Sequence, residues 1–162
     1  MARIEFNDGS DYMKKLEQLA AASKYEICGG AIYAGAAVVA DSIRDELNRI
    51  PTDETTGTTS DPARGPKQIQ KEGLARSLGI SKMRDDGTGR LDVKVGFDGY
   101  NRVKTQKWPN GQPNQMVARS VNSGTSWMKK NPFVSKGTRK AKKPALEAMS
   151  KHVDESIQKI MK

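Results

Sequence analysis

The side chains able to carry chemistry are few in this chain and lie far apart in sequence. It contains one histidine, His152, and one cysteine, Cys28, among 162 residues. A structural zinc site takes four ligands, and one cysteine cannot form an intrachain disulfide. Cys28 lies in an apolar run, which predicts a small buried side chain rather than a nucleophile. His152 falls beside apolar positions of the last predicted helix, which predicts a partly buried residue rather than a general base.

Carboxylates occur in two groups, and neither predicts a catalytic or metal site. Asp41, Asp45 and Glu46 share a predicted helix and alternate with arginines. This spacing is typical of a solvated face with ion pairs along the helix. Asp85 and Asp86 begin a glycine-rich turn, and no second acidic cluster follows at a metal-binding spacing.

Two glycine-containing segments resemble phosphate-binding loops only in part. Gly87-Thr-Gly89 lacks the third glycine and the following helix of a dinucleotide-binding loop, and Gly137-Thr138 lacks the lysine of a P-loop. No set of a nucleophile, base and stabilising group is apparent. The sequence therefore predicts a protein that is not an enzyme and that binds no cofactor and no metal.

Charge is divided unequally along the chain. Residues 1–61 contain six Lys and Arg against eleven Asp and Glu, whereas residues 62–162 contain twenty-two against eight. Such asymmetry is typical of a nucleic-acid-binding face, and it also suits head-to-tail assembly of copies. The sequence leaves contact with DNA and contact with an acidic protein surface equally open for one group of cations: Lys129, Lys130, Lys136, Arg139, Lys140, Lys142 and Lys143.

The same part of the chain contains a predicted structural corner. Glycine permits backbone angles that other residues avoid, and proline suits the first turn of a helix. We expect the chain to turn at the glycine, to place both aromatic rings in the core and to restart as a helix near Pro144. The residues of this corner are Gly124, Thr125, Trp127, Pro132 and Phe133.

Hydrophobic periodicity predicts an α+β fold in one domain spanning residues 1–162. A short strand is expected over residues 2–7, followed by helices up to Pro51, and the clearest strand runs from Leu91 to Phe97. The last helix is expected from Pro144 to Met161. Together these elements predict a small antiparallel sheet packed against two long helices, with polar loops at about 51–72 and 101–113 and a basic segment at 136–143. The longer of these loops, at 51–72, is expected to be poorly ordered unless a partner covers it.

The apolar content predicts no membrane contact. The most apolar window, Ile27–Ala40, contains three glycines and is shorter than the roughly 20 residues that cross a bilayer. The first residues lack the apolar segment of a signal peptide. We therefore expect a soluble protein made inside the cell.

Several motifs occur in the order typical of one family. They are Ala40–Leu47 (ADSIRDEL), Val95-Gly-Phe97, Gly124-Thr-Ser126, Asn131-Pro-Phe133 and Pro144-Ala-Leu-Glu147. Together with the predicted first strand, the chain from Ile4 to about Met161 resembles the tail-completion and head–tail joining proteins of long-tailed bacteriophages. This family includes the minor tail protein Z of phage lambda.

Two departures from the family pattern stand out. The family usually has a glutamate and an aromatic residue before the glycine, where this chain has Asn122 and Ser123. The basic segment from Lys136 to Lys143 also separates Phe133 from Pro144, whereas the family joins the two motifs almost directly, so an extended or kinked helical arm is an alternative here.

The resemblance implies a structural role and no catalytic residue. It implies a protein made in the host cytoplasm and placed in the neck or tail end of the virion. There it would form a ring, with six as the expected copy number. Its partners would be the capsid connector or stopper and the tail terminator or tail tube, with genomic DNA in the channel. The alternative is a nucleic-acid-binding protein that uses residues 129–143.

Overall fold

The computed structural model describes residues 10–162 and has the predicted α+β architecture. The helices in this part of the chain are α1 (Ser10–Ala22), a π-helical segment (Ser23–Gly29), α2 (Gly30–Asn48), α3 (Gln68–Ser77), α4 (Asn114–Ser123) and α5 (Phe133–Met161). The strands are β1 (Leu78–Ile80), β2 (Arg84–Asp85), β3 (Leu91–Asp92) and β4 (Val95–Phe97). The strand predicted over residues 2–7 lies outside the described residues.

Two long antiparallel helical rods form the main framework. The first rod runs without a break from α1 through the π-helical segment into α2, and α5 packs along it. Ser42 on α2 donates a hydrogen bond from Oγ to the Gly137 carbonyl near the start of α5 (2.9 Å). At the other end, Lys15 on α1 donates from Nζ to the carbonyl of Met161 (3.1 Å). The rods therefore lie side by side over nearly the whole length of α5.

Gly29, Gly30 and Gly35 lower the helix propensity of the first rod, which predicts close approach of a neighbouring element, and Gly30 and Gly35 are where α5 approaches. A Cβ atom at Gly35 would lie 2.7 Å from Cγ of Met149, and one at Gly30 would lie 2.2 Å from Nε2 of His152. Both separations are far below van der Waals contact, so neither site has room for a side chain. His152 is half-buried against α2, as predicted.

The strands form one short β-hairpin with two paired regions. β1 pairs with β4 in antiparallel register, with Leu78 opposite Phe97 and Ile80 opposite Val95. β2 pairs with β3 farther out, and the turn at Asp86–Gly89 closes the hairpin. The strand predicted over residues 91–97 is therefore interrupted after Asp92. The turn predicted at Asp98-Gly99 leads instead into the loop before α4, and it is not the hairpin turn.

The hydrophobic core lies where the rods, the hairpin and α4 meet. Helix α2 contributes Ile43 and Leu47, α3 contributes Leu74, and α4 contributes Val121. Phe133 at the start of α5 is 2% exposed and packs edge-to-face on Phe97, with ring centroids 5.8 Å apart. The small sheet is therefore fixed to both long helices through this core.

Helix α5 begins eleven residues before the predicted start at Pro144, because it opens at Phe133. Proline cannot donate the helical hydrogen bond to residue i−4, and this loss is the reason for expecting a helix start there. Ala141 and Ala145, one on each side of Pro144, are both buried, and packing holds the helix through it. The basic segment 136–143 is thus part of a helix.

The loop after α2 is shorter and better organised than predicted, since α3 already begins at Gln68. Asp53 organises it by accepting hydrogen bonds from Thr55 (Oγ1, 2.6 Å; N, 3.0 Å) and from the Arg64 amide (2.9 Å). The hydrogen bond from the Thr55 hydroxyl and those from the two amides lower the pKa of Asp53 to about 2. Residues 51–67 therefore have internal support for their conformation.

Replacing Asp53 by asparagine is expected to loosen this loop. An amide side chain has only one acceptor oxygen and would place an NH2 group against an N–H donor. Because the folded state lowers the pKa, the stabilising effect of the carboxylate is full above about pH 4 and is lost as the pH falls toward 2. Urea unfolding should show the wild type more stable than Asp53→Asn at pH 7 and a much smaller difference near pH 2. A pH-independent difference would contradict this explanation.

The first rod meets the length and composition criteria for a membrane span, in contrast to the prediction from the Ile27–Ala40 window. Among residues 10–162, Ser10–Asn48 is the one helical run that does so, with a mean hydropathy of 1.3 in its most apolar window. Core helices meet the same criteria. Here the buried residues of α2, including Ile43 and Leu47, belong to the hydrophobic core.

Candidate functional site

The predicted corner exists, but only one of its two aromatic rings lies in the core. Gly124 ends α4 with φ 77°, a conformation that favours glycine, and the Thr125 amide donates to the Met128 carbonyl (2.9 Å) across the turn. Pro132 immediately precedes α5. Phe133 is buried as predicted, whereas Trp127 is 63% exposed, so the prediction of a buried tryptophan is wrong.

The main chain around Trp127 explains why its ring lies outside. The Ala63 amide donates to the Trp127 carbonyl (2.9 Å), and the Lys129 amide donates to the Ala63 carbonyl (2.8 Å). Residues 127–129 therefore form an isolated parallel β-bridge with Ala63 in the loop after α2. Their main-chain groups are used in this pairing, and the indole ring is left beside a groove of about 340 Å³ that also contains Met116 and Met128.

The predicted cations are all exposed, and we call this set the basic face. Gly137, Ala141 and Ala145 form the buried side of α5 against α2, and the five cations of α5 lie off that side. Lys129 and Lys130 precede the helix in the chain. The members of the basic face on the helix itself are Lys136, Arg139, Lys140, Lys142 and Lys143.

Two members of the basic face have carboxylate partners within the described chain. Lys143 lies 3.8 Å from Glu147 on the next helical turn, an exposed pair of the kind that contributes little to stability. Lys140 bonds Glu46 across the two rods. No ion pair within residues 10–162 involves Lys136, Arg139 or Lys142, although Lys136 lies close enough to Glu46 to help lower its pKa.

Glu46 is the carboxylate whose predicted exposure to solvent is wrong. The prediction of a solvated acidic face holds for Asp41 and Asp45, but Glu46 is 8% exposed. It accepts from Nη1 of Arg49 (2.9 Å) as well as from Lys140, and the Lys140 hydrogen bond lowers the pKa of Glu46. Glu46 therefore holds Lys140 of the basic face against α2. Its position one helical turn from the buried Ile50 is the sequence signal that could have shown this.

Helix α1 has the least internal support of any helix in the described chain. None of its residues is buried. Tyr12 is 58% exposed, Met13 is 57% exposed, and Leu16 is at the surface as well. Apolar side chains at helical spacing that remain exposed indicate a surface that another molecule covers.

Cys28 does not fit its predicted role, because its side chain is exposed. It lies in the π-helical segment, whose wider turns change the spacing of inward-facing positions. Neighbouring Ile27 and Gly29 are buried instead. Within residues 10–162, no group of three or more histidine, cysteine, aspartate or glutamate residues is placed to hold a metal ion.

Comparison with known proteins leaves the fold without a relative to interpret it. No family model matches the sequence, and neither the curated proteins nor the solved structures contain a match.

Proposed function

We propose that this chain is a structural virion protein of a long-tailed bacteriophage that assembles into a ring in the neck. The ring would join the connector of the DNA-filled capsid to the tail and so complete the tail. The observation that carries the proposal is α1, a helix of 13 residues with none buried. Such a helix gains its stability from packing, and within one copy it receives little.

The distribution of charge supports contact between unlike surfaces of neighbouring copies. A ring with cyclic symmetry needs such a heterologous interface, in which one surface of each copy meets a different surface of the next. Residues 1–61 carry the acidic excess and residues 62–162 the basic excess. Three cations of α5 form no ion pair within residues 10–162 and are exposed. They are Lys136, Arg139 and Lys142.

The order of motifs supports the particular place of the ring in a virion. The family resemblance covers the α2 motif, the Val95-Gly-Phe97 strand, the corner and α5. Two of these motifs are in contact, because the rings of Phe97 and Phe133 pack edge-to-face.

Deleting the gene from a phage that encodes this chain tests the proposed role directly. Electron microscopy of the resulting lysate should show filled heads and separate tails, and expression of the protein from a plasmid should restore joined particles. A plasmid copy with Tyr12→Asp and Met13→Asp should fail to restore them, whereas Lys151→Ala, at an exposed position far along α5, should succeed. Joined infectious particles without the protein would exclude the proposal.

Nucleic-acid binding is a second candidate, favoured by the exposed indole of Trp127. Lys129 and Lys130 follow this ring in the chain and are exposed as well. Cations that contact phosphates, combined with a ring that stacks on bases, are typical of single-strand binding.

Affinity for single-stranded DNA measured over a range of salt concentrations tests this candidate. Binding should weaken steeply as salt rises, with a slope reduced by roughly 0.7 for each phosphate-contacting lysine removed. Trp127→Ala should weaken binding at every salt concentration without changing that slope. An affinity that changes neither with salt concentration nor with the Trp127→Ala substitution would eliminate this candidate.

A further inference from the structure

One edge of the small sheet lacks a partner. The Ser81 amide donates to the Lys94 carbonyl (2.8 Å) and the Asp98 amide donates to the Ser77 carbonyl (3.1 Å). In an antiparallel pair, alternate residues point their main-chain groups to the partner strand and those between point away. Val95 and Phe97 therefore direct their N–H and C=O groups outward, and within residues 10–162 these groups have no hydrogen-bond partner.

This edge borders a groove suited to an apolar strand. The groove has a volume of about 690 Å³ and lies between the sheet and α4. Leu78, Ile80, Val95 and Phe97 contribute its apolar surface, and Arg119 of α4 lies at its polar side. Strand addition to a free edge combines main-chain hydrogen bonds with pockets for alternate side chains.

We propose that residues 3–6 of a second copy add to β4 as an antiparallel strand. This inference rests on the proposed self-assembly and defines its interface. The segment Arg3-Ile-Glu-Phe6 alternates polar and apolar residues. In the register we propose, Ile4 lies opposite Phe97 and Phe6 opposite Val95, with both side chains directed into the groove. Glu5 then lies opposite Gly96, on the open side of the sheet.

Charge selects the antiparallel direction. In that direction Arg3 lies opposite Asp98, and Glu5 lies diagonal to Lys94. The parallel direction would instead bring Arg3 next to Lys94. Opposite charges across a sheet stabilise the pairing and like charges destabilise it.

The length of the first rod excludes addition within one copy. The nearer end of the groove lies at Tyr33, whose hydroxyl donates to the Ser81 carbonyl (3.5 Å), and at 1.5 Å per residue the helical run places Ser10 about 35 Å from Tyr33. The three residues between Phe6 and Ser10 can span about 14 Å at most. The strand must therefore come from a neighbour, and each copy both donates and accepts one. Repeated around an axis, this exchange gives a closed ring when the rotation between copies closes.

Disulfide trapping in a Cys28→Ser chain tests the register. Residues 5 and 96 would form a pair without mutual hydrogen bonds, with Cα atoms about 4.5 Å apart, which a disulfide can bridge. A Cβ atom at Gly96 has no neighbour within 4 Å, so Gly96→Cys fits the fold. A matched control is Gly79→Cys on β1, where a Cβ atom is equally unobstructed.

A mixture of Glu5→Cys and Gly96→Cys chains should form the mixed disulfide dimer under mild oxidation. Its yield should exceed that with Gly79→Cys by roughly tenfold, because paired strands raise the effective concentration of the thiols. Adding Phe6→Asp should abolish this excess. A chain carrying both cysteines should give a ladder of intermolecular oligomers, and an intramolecular disulfide in that chain would overturn the proposal.

Light scattering on the same samples distinguishes a failure of strand addition from a failure of ring assembly. If the cysteine variants assemble but the 5–96 disulfide does not form under oxidation, strand addition is overturned and the proposed ring stays intact. If the same variants remain monomers and the disulfide does not form, strand addition and the proposed ring are both overturned. An assembly trapped by the 5–96 disulfide and sensitive to Phe6→Asp supports both.

Discussion

Replacing Phe133 by alanine should lower the free energy of unfolding by about 3–5 kcal/mol, as expected when a fully buried phenylalanine is truncated. The ring is 2% exposed and packs edge-to-face on Phe97 of β4. The substitution removes the contact that fixes α5 to the sheet and leaves a cavity in the core. For a domain with a total stability of about 5–15 kcal/mol, such a loss brings the protein close to unfolding. Urea denaturation followed by circular dichroism measures the change.

Trp127→Ala is the matched control, because it removes a larger aromatic ring from the same corner. Trp127 is 63% exposed, so its loss should change the free energy of unfolding by less than about 1 kcal/mol. If the two variants lost similar stability, or if Trp127→Ala lost more, the described orientation of the corner would be wrong.

Substitution of Gly137 by alanine should destabilise the protein even though alanine favours helices. In an exposed helix this change would add about 1 kcal/mol of stability. At Gly137, however, the new Cβ would lie 2.8 Å from Cα of Ile43 and 2.9 Å from its nitrogen. These are main-chain atoms of α2, so the two rods would have to separate. We expect a net loss of about 1–3 kcal/mol, as for other overpacked cores.

Thermal unfolding of Gly137→Ala beside Ser135→Ala measures this effect. Ser135 is exposed on the same turn of α5, and its substitution should change the stability by no more than about 0.5 kcal/mol. A Gly137→Ala protein as stable as wild type would show that the rods do not pack at the described distance.

The sequence predicts the long helices and their close approach because these features depend on local periodicity. The apolar stripe that includes Ile43 and Leu47 has helical spacing, and glycines at 30 and 35 indicate a close neighbour. Both predictions are confirmed, as is the α+β class with a small antiparallel sheet. In each case the signal lies within a few turns of one element.

The incorrect predictions depend on contacts between distant segments. The exposure of Trp127 follows from main-chain pairing with Ala63, which no local pattern reveals. The burial of Glu46 follows from Lys140 on the opposite rod. The burial predicted for Cys28 is wrong for a different reason, because an apolar run does not tell which of its positions face the core, and here Ile27 and Gly29 do.

The candidate surfaces were predictable only in part. The cations of residues 129–143 are evident from composition, and the structure adds that all seven are exposed. The free edge of β4 was not predictable, because it depends on the pairing of Val95 and Phe97 with β1 alone. The lack of buried residues in α1 likewise depends on where α5 ends.

Solution mass, measured by light scattering with absorbance recorded at 260 and 280 nm, tests the central claim of self-assembly most directly. One copy has a mass of 17.8 kDa. We expect a nucleic-acid-free particle of about six copies that falls apart when Phe6 or Met13 is changed to aspartate, because the proposed interface is heterologous and its rotation closes into a ring. A protein that remains a monomer at every concentration, or that gains mass only with bound nucleic acid, would contradict it.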